Sequence, residues 1–484
     1  MYAFAQKGIY DVLIGINRRD SGNTKSSRGF RLSNNADGDY TSAIAKISAS
    51  PSDDQVLSLA YNYDKAHDNW DDSQWGRQIY KNEQHRLTGK WEYSANDFVN
   101  LVSAVQYVHS EYFFDSGAKK AQNKFDSIGG NIQNTTEIFL LGNHSLTIGG
   151  DLYKKNQSGT TIDPFSGSWQ DDTGRPDAEA LDAGLFIQDA YAITPYLTIS
   201  PIVRWNYYNR SSNQGFETVT DNTFTPGITL SIKPVQNAEF WLSVNTGYRP
   251  PVMDELYFTM SYPGVIDTAI VVANPDLKPE KSTNWETGTN LRLQRLLSDQ
   301  DTLNIKAALF YDDVKDFIGT KSWMDTTNPT IWYFSTTNYG HVIRKGVEIS
   351  AHYVIDNFGL DASYGLVHAT NREDNKRVPG ITPQSASIRL GYTIPKSDLD
   401  LWYRIRWCDG GKSNEETSWG SGQYREYAGY LTHALGLQWS PKVPGFENLT
   451  AGMAMTNLFD KKYRMLNGSY GYGRSAQVWL SAQF

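Results

Sequence analysis

Eight histidines, one cysteine and 53 acidic residues are the groups in this chain that could carry covalent, redox or metal chemistry. Their spacing does not gather them. No Ser, His and Asp/Glu fall into the compact set that a hydrolase needs. Cys408 stands alone, which excludes an internal disulfide and a cysteine-based zinc cluster. Beside Trp407 it reads as a small packed hydrophobe. The net charge is −8 and the acids are scattered, so nothing marks a nucleic-acid partner. What remains is non-covalent chemistry, binding and passage rather than catalysis.

The elements that would position such groups are strands. Leu399, Leu401, Tyr403, Ile405 and Trp407 alternate with Asp400, Trp402, Arg404 and Arg406. Leu303, Ile305, Ala307, Leu309 and Tyr311 alternate in the same way with Asn304 and Lys306. Period two sends one set to an apolar surface and the other to a wet one. Mean hydropathy is −0.52, and no run approaches the roughly 20 apolar residues of a membrane helix. A membrane barrel has this averaged signature, because its lipid-facing and lumen-facing residues cancel. Aromatics at 13% suit two interfacial girdles.

Connection lengths separate a barrel from a soluble sandwich. Tight connections at 50–53, 142–143, 194–196, 233–236 and 395–397 take turns with long polar ones at 19–40, 64–84, 159–181, 248–282 and 313–339. Sorting short turns to one end and long loops to the other is the asymmetry of outer-membrane barrels. The fold class expected is all-β: a large antiparallel transmembrane barrel of the 22-strand class, with about 20–21 strands present. The terminal segment places Val478, Leu480, Ala482 and Phe484 on one face and Trp479, Ser481 and Gln483 on the other. Residues Met1 to Gly8 carry neither a basic n-region nor an apolar h-region, so no signal peptide is expected. Residues 1–484 read as one barrel domain, incomplete at its N-terminus by about one strand.

Several segments, in order, resemble the barrel of TonB-dependent outer-membrane receptors. Leu185-Phe186-Ile187-Gln188-Asp189 resembles a mid-barrel strand of that family. Gly247-Tyr248-Arg249-Pro250-Pro251, Glu255-Leu256-Tyr257 and Asn274-Pro275-Asp276-Leu277-Lys278-Pro279-Glu280 are similar to its central signature, continued by Trp285-Glu286-Thr287-Gly288. Asn338-Tyr339-Gly340 with Gly346-Val347-Glu348 resembles the next. Asn457-Leu458-Phe459-Asp460 with Gly473-Arg474 resembles its C-terminal signature. Pro250 and Pro251 stop a strand, since proline cannot donate to the ladder. Glu280, Glu286 and Glu348 read first as lumen or rim carboxylates that fix loops.

The resemblance implies a ligand-gated importer in the bacterial outer membrane, with no intrinsic cofactor and no enzymatic activity. Its partners would be outer-membrane lipid, the barrel-assembly machinery through Phe484, and the TonB complex. TonB grips an N-terminal plug domain in that family, and nothing in these residues resembles a plug. An unplugged barrel of this diameter would be a wide pore, so a passive pore or adhesin is the alternative class. The transported ligand implied is an iron complex. The stretch 274–318 favours haem or a haem protein over a ferric siderophore. Haem iron takes His, Tyr or Met. The loop Val252 to Ala273 has no His but offers Tyr257, Met260 and Tyr262. His67, in an expected outer loop, and His341, near an outer strand end, are the histidine candidates. For a siderophore, Arg249, Trp323, Trp332, Tyr333 and Trp419 could stack or hydrogen-bond.

Overall fold

The computed structural model describes residues 2–22, 35–72, 76–116, 120–162, 169–171, 174–263, 268–416, 424–466 and 470–483. One sheet contains 22 strands. Trp169–Asp171 is only a three-residue ribbon on the rim of Asn143–Ile162, and the other 21 are staves. Each stave pairs antiparallel with the next in chain order, from Tyr2–Lys7 at one edge to Ser475–Gln483 at the other. With every neighbour antiparallel, the two edge strands run in the same direction. Phe484 lies outside the described residues.

Period two sorts the faces as expected. Leu57, Leu59 and Tyr61, Leu87 and Trp91, and Val105 and Tyr107 are exposed large hydrophobics on the outward face. The register sets Leu57 against Trp91, Leu87 against Tyr107, and Val478 against Met453, so these side chains form continuous apolar rows. On the inward face, large aromatics lie across glycines of the neighbouring stave. A Cβ on Gly436 would meet Trp402 at 2.4 Å, and one on Gly452 would meet Trp479 at 2.2 Å. Glycine is there to let a ring lie flat against the barrel wall. Trp402 and Arg404 thus face the lumen while Leu401 faces out. Cys408 is buried and free, as its packed reading required.

The connections expected to be tight fall at one end, and those expected to be long at the other. Several expected loops are shorter than the polarity of their residues suggested. Strands Gln55–Asp72 and Gly76–Asn96 run through most of 64–84. At 18 and 21 residues they are about twice the 9–11 needed to span a bilayer. Polar residues belong there because these staves project beyond the hydrocarbon. His67 is therefore on a strand, not in a loop, paired with Asp39 and Lys81.

Candidate ligand site at the extracellular mouth

At the long-loop end the stave Ala238–Arg249 stops at Pro250 and Pro251, and a five-residue helix, Met253–Tyr257, follows. Its N-terminus is tied by the Val252 amide donating to Glu255 Oε2 at 2.9 Å. Leu256 and Tyr257 are fully buried, packed with Leu277, Ala178 and Ile318. This hydrophobic cluster seals the loop to the barrel rim.

Around that core three arginines are paired with carboxylates. Arg249 Nη1 donates to both oxygens of Glu255 at 3.0 Å, and its Nη2 donates to Glu280 Oε1 at 2.7 Å. Glu280 Oε1 also accepts the Ile318 amide at 2.8 Å, joining two loops through one oxygen. Arg210, 4% exposed, donates to Asp182 at 2.6 Å, to the Pro251 carbonyl and to the Leu181 carbonyl. Arg175 pairs with Asp254 at 2.7 Å, and Gln157 donates to the same carboxylate. Asn274 Nδ2 donates to the Thr336 carbonyl. Asn338 accepts from the Lys278 amide and donates to the Lys278 and Asp316 carbonyls. The family-like residues Arg249, Pro251, Leu277 and Glu280 thus form a clamp.

The two clamped loops meet in a small four-stranded sheet, Met260–Pro263, Thr268–Val272, Ile331–Asn338 and Ile318–Met324. Its central pairing, Thr268–Val272 with Ile331–Asn338, is parallel. One row across it is Tyr262, Ala269, Trp332 and Met324; the row two residues along is Met260, Val271, Phe334 and Ser322. The intervening row carries Ile270, Tyr333 and Trp323, with the last two stacked at 5.6 Å. Met260, Tyr262 and Trp332, selected separately in sequence, are therefore joined in one element. Met324 and Phe334 belong to the same rows; only the pairing register reveals them.

The other candidates are placed elsewhere. Tyr257 is sealed in the loop core, stacked on Phe216, its hydroxyl without a partner. Burial pushes its phenol up, so it stays neutral. Arg249 is committed to two glutamates. His67 shares its strand face with outward-facing Leu57 and Leu59, 3.5 Å from Asp39. His341 is bound to Asp313 at 2.5 Å. Trp419 lies outside the described residues. Tyr248 reaches Asp221 at 3.3 Å. Gly346 lies under Phe310, and Glu348 follows it on the lumen face. At the C-terminal signature, Asn457 adopts φ 47° and bonds the Lys461 and Tyr472 carbonyls. The Leu458 amide donates to the His433 carbonyl, and Phe459 sits edge-on to the His433 ring.

A hollow antiparallel barrel with clamped outer loops is the architecture of a large outer-membrane receptor class. The model of the TonB dependent receptor-like β-barrel matches residues 8–458, and the chain belongs to that family. The family is one of receptors and transporters. A hemin receptor of Yersinia enterocolitica is 25% identical, over all of this chain and 71% of its own length. The heme/hemopexin utilization protein C of Haemophilus influenzae strain 86-028NP is 24% identical over 74% of this chain and 50% of its own. Among solved structures, the copper transporter OprC superposes with TM-score 0.82 at 15% identity, covering 99% of this chain and 79% of its own. The Serratia marcescens hemophore receptor HasR, solved with its hemophore HasA and heme, gives 0.80 at 16% identity, covering 100% and 78%.

Proposed function

We propose that this chain is the barrel of an outer-membrane, TonB-dependent receptor that takes up an iron-containing ligand, haem or a haem protein before a siderophore. The observation that carries this is the similarity to a hemin receptor along the whole chain. The mouth supports it chemically: Met260 and Trp332 belong to one face of its small sheet, and Trp323 stacks on Tyr333 in the row between, on the other face, so each face offers polarisable or aromatic groups to a flat, apolar macrocycle. A ferric siderophore is the second reading, favoured by the histidines: those of the candidate set are held by Asp39 and Asp313 rather than gathered at the mouth. Nothing catalytic is proposed.

The chain is read as one domain of a longer receptor. A plug ahead of the barrel would supply the segment that TonB pulls. Phe484 would be read by the barrel-assembly machinery. Sequencing the DNA upstream of Met1 tests this, since a continuous frame encoding a plug and one strand is expected. An isolated promoter and stop would move the reading to a passive pore or adhesin.

For the ligand, the folded chain in detergent is titrated with hemin and with a ferric catecholate. A saturable Soret shift with hemin, weakened about tenfold in Trp332→Ala, is expected for an aromatic contact of about 1.4 kcal/mol. Saturable catecholate binding with an unshifted Soret band would replace haem by siderophore.

A further inference from the structure

We propose that the outer wall carries a site for a divalent transition metal of the zinc or copper class, built by His85 and Glu83 on stave Gly76–Asn96 with His109 and Glu111 on stave Val99–Asp115. The register sets His85 directly opposite His109, and Glu83 directly opposite Glu111. The four side chains are thus the corners of one square on one face. That face points outward, since it is shared with the exposed Leu87 and Tyr107. The square lies one step beyond the Tyr61, Leu87 and Tyr107 row, where apolar residues give way to polar ones.

Two features distinguish it from a solvated polar patch. First, like charges directly opposed across a pair of strands are unfavourable unless a cation joins them. Lys65 reaches Glu83 only at 3.6 Å and Lys124 reaches Glu111 at 3.4 Å, each from the flank rather than between the glutamates. Second, both imidazoles are oriented for ligation. His85 Nδ1 is held by the Tyr61 hydroxyl at 2.7 Å, and His109 Nδ1 by Asp126 at 2.9 Å. Asp126 is itself fixed by the Tyr107 hydroxyl at 2.7 Å. Each Nε2 is then turned towards a glutamate, His85 towards Glu83 at 3.5 Å and His109 towards Glu111 at 3.5 Å. A second partner on the far ring nitrogen is the usual outer shell of a metal-binding histidine.

As they stand, no three of these donors converge on a point that would hold an ion. The imidazole centroids lie 6.4 Å apart. Two imidazoles on one ion at a Zn–N distance of about 2.1 Å place their centres about 5 to 6 Å apart, so small side-chain rotations close the site. Two imidazoles and two carboxylates select a borderline cation over calcium or magnesium. Bound there, the ion would staple two staves at the outer interface. This is independent of what crosses the lumen.

The test is a titration of the folded chain in chelator-stripped detergent with Zn²⁺ by calorimetry, and with Cu²⁺ read by electron paramagnetic resonance. One equivalent should bind, with two nitrogen donors in the copper spectrum. The His85→Gln/His109→Gln double variant should lose the site, and Asp126→Asn should weaken it about tenfold. Variants are scored only if they keep the heat-dependent gel mobility of the parent. Failure of the parent chain to bind either ion would overturn the proposal without any variant. So would equal binding by the double variant, or a copper spectrum with fewer than two nitrogens.

Discussion

The mouth and the first staves both carry many charges, and they use them in opposite ways. At the mouth, Arg210, Arg249 and Arg175 are spent on Asp182, Glu255, Glu280 and Asp254, with backbone carbonyls and amides drawn into the same pairs. On the outer wall of 55–126, Lys65, Glu83, Glu111 and Lys124 meet across strands at 3.4–3.6 Å and remain near half exposed. Charge at the mouth fixes conformation, whereas charge on the wall is left available. Under the proposed function, recognition at the mouth would fall to aromatics and thioethers on a scaffold fixed by those ion pairs.

Breaking the mouth should cost most. Arg210→Met removes a nearly fully buried cation from Asp182 and from the Pro251 and Leu181 carbonyls; Lys155 stays on Asp182 at 3.1 Å, so the loss falls at the lower end of the cost of breaking a buried pair, about 3 kcal/mol. Urea unfolding in detergent should show that loss, with hydrogen exchange accelerated across 250–280. The same charge removal on the wall, Lys65→Met, should change stability by under about 0.5 kcal/mol because the pair is exposed.

A middle-sized effect separates the lumen from the outward face. Gly452→Ala pushes a methyl into Trp479, and overpacking of that kind costs about 1–3 kcal/mol. Gly89→Ala, where nothing lies within 4 Å, should be neutral or slightly stabilising. Equal shifts in unfolding midpoint for the two would contradict the face assignment.

A separate effect is a pH dependence at the short-turn end. Burial would raise the Asp301 carboxyl, but the Leu297, Leu296 and Ser298 amides and the Tyr353 hydroxyl hold it down at about 2. A depressed carboxyl contributes stability that is full above its unfolded pKa, near 4, and lost as pH falls towards 2. Between those pH values the parent should lose its advantage over Asp301→Asn, measured by thermal unfolding.

Much of the fold was legible because a barrel repeats one rule. Period two placed Leu401 outside and Trp402 and Arg404 inside, and Pro250-Pro251 marked a stave's end. Loop lengths were overestimated, since a strand leaving the bilayer becomes polar on both faces and reads as loop; His67 was misplaced for that reason. At the mouth, Met260, Tyr262 and Trp332 were identifiable as residue types, but their union depends on a parallel pairing between segments about 60 residues apart. Tyr257 is a candidate in the sequence on its phenol alone, and no local pattern announces that Leu277 and Ile318 will bury it. The roles of Arg210 and Arg175 had no sequence signal, because their partners lie 28 and 79 residues away.

The most direct test of an uncharged recognition surface on a charged clamp is hydrogen–deuterium exchange of the folded chain with and without hemin. Protection concentrated in 260–263, 268–272 and 318–338 is predicted, with Glu280→Gln loosening the same segments before ligand is added. Protection confined to the lumen staves, with the mouth sheet unchanged, would contradict it.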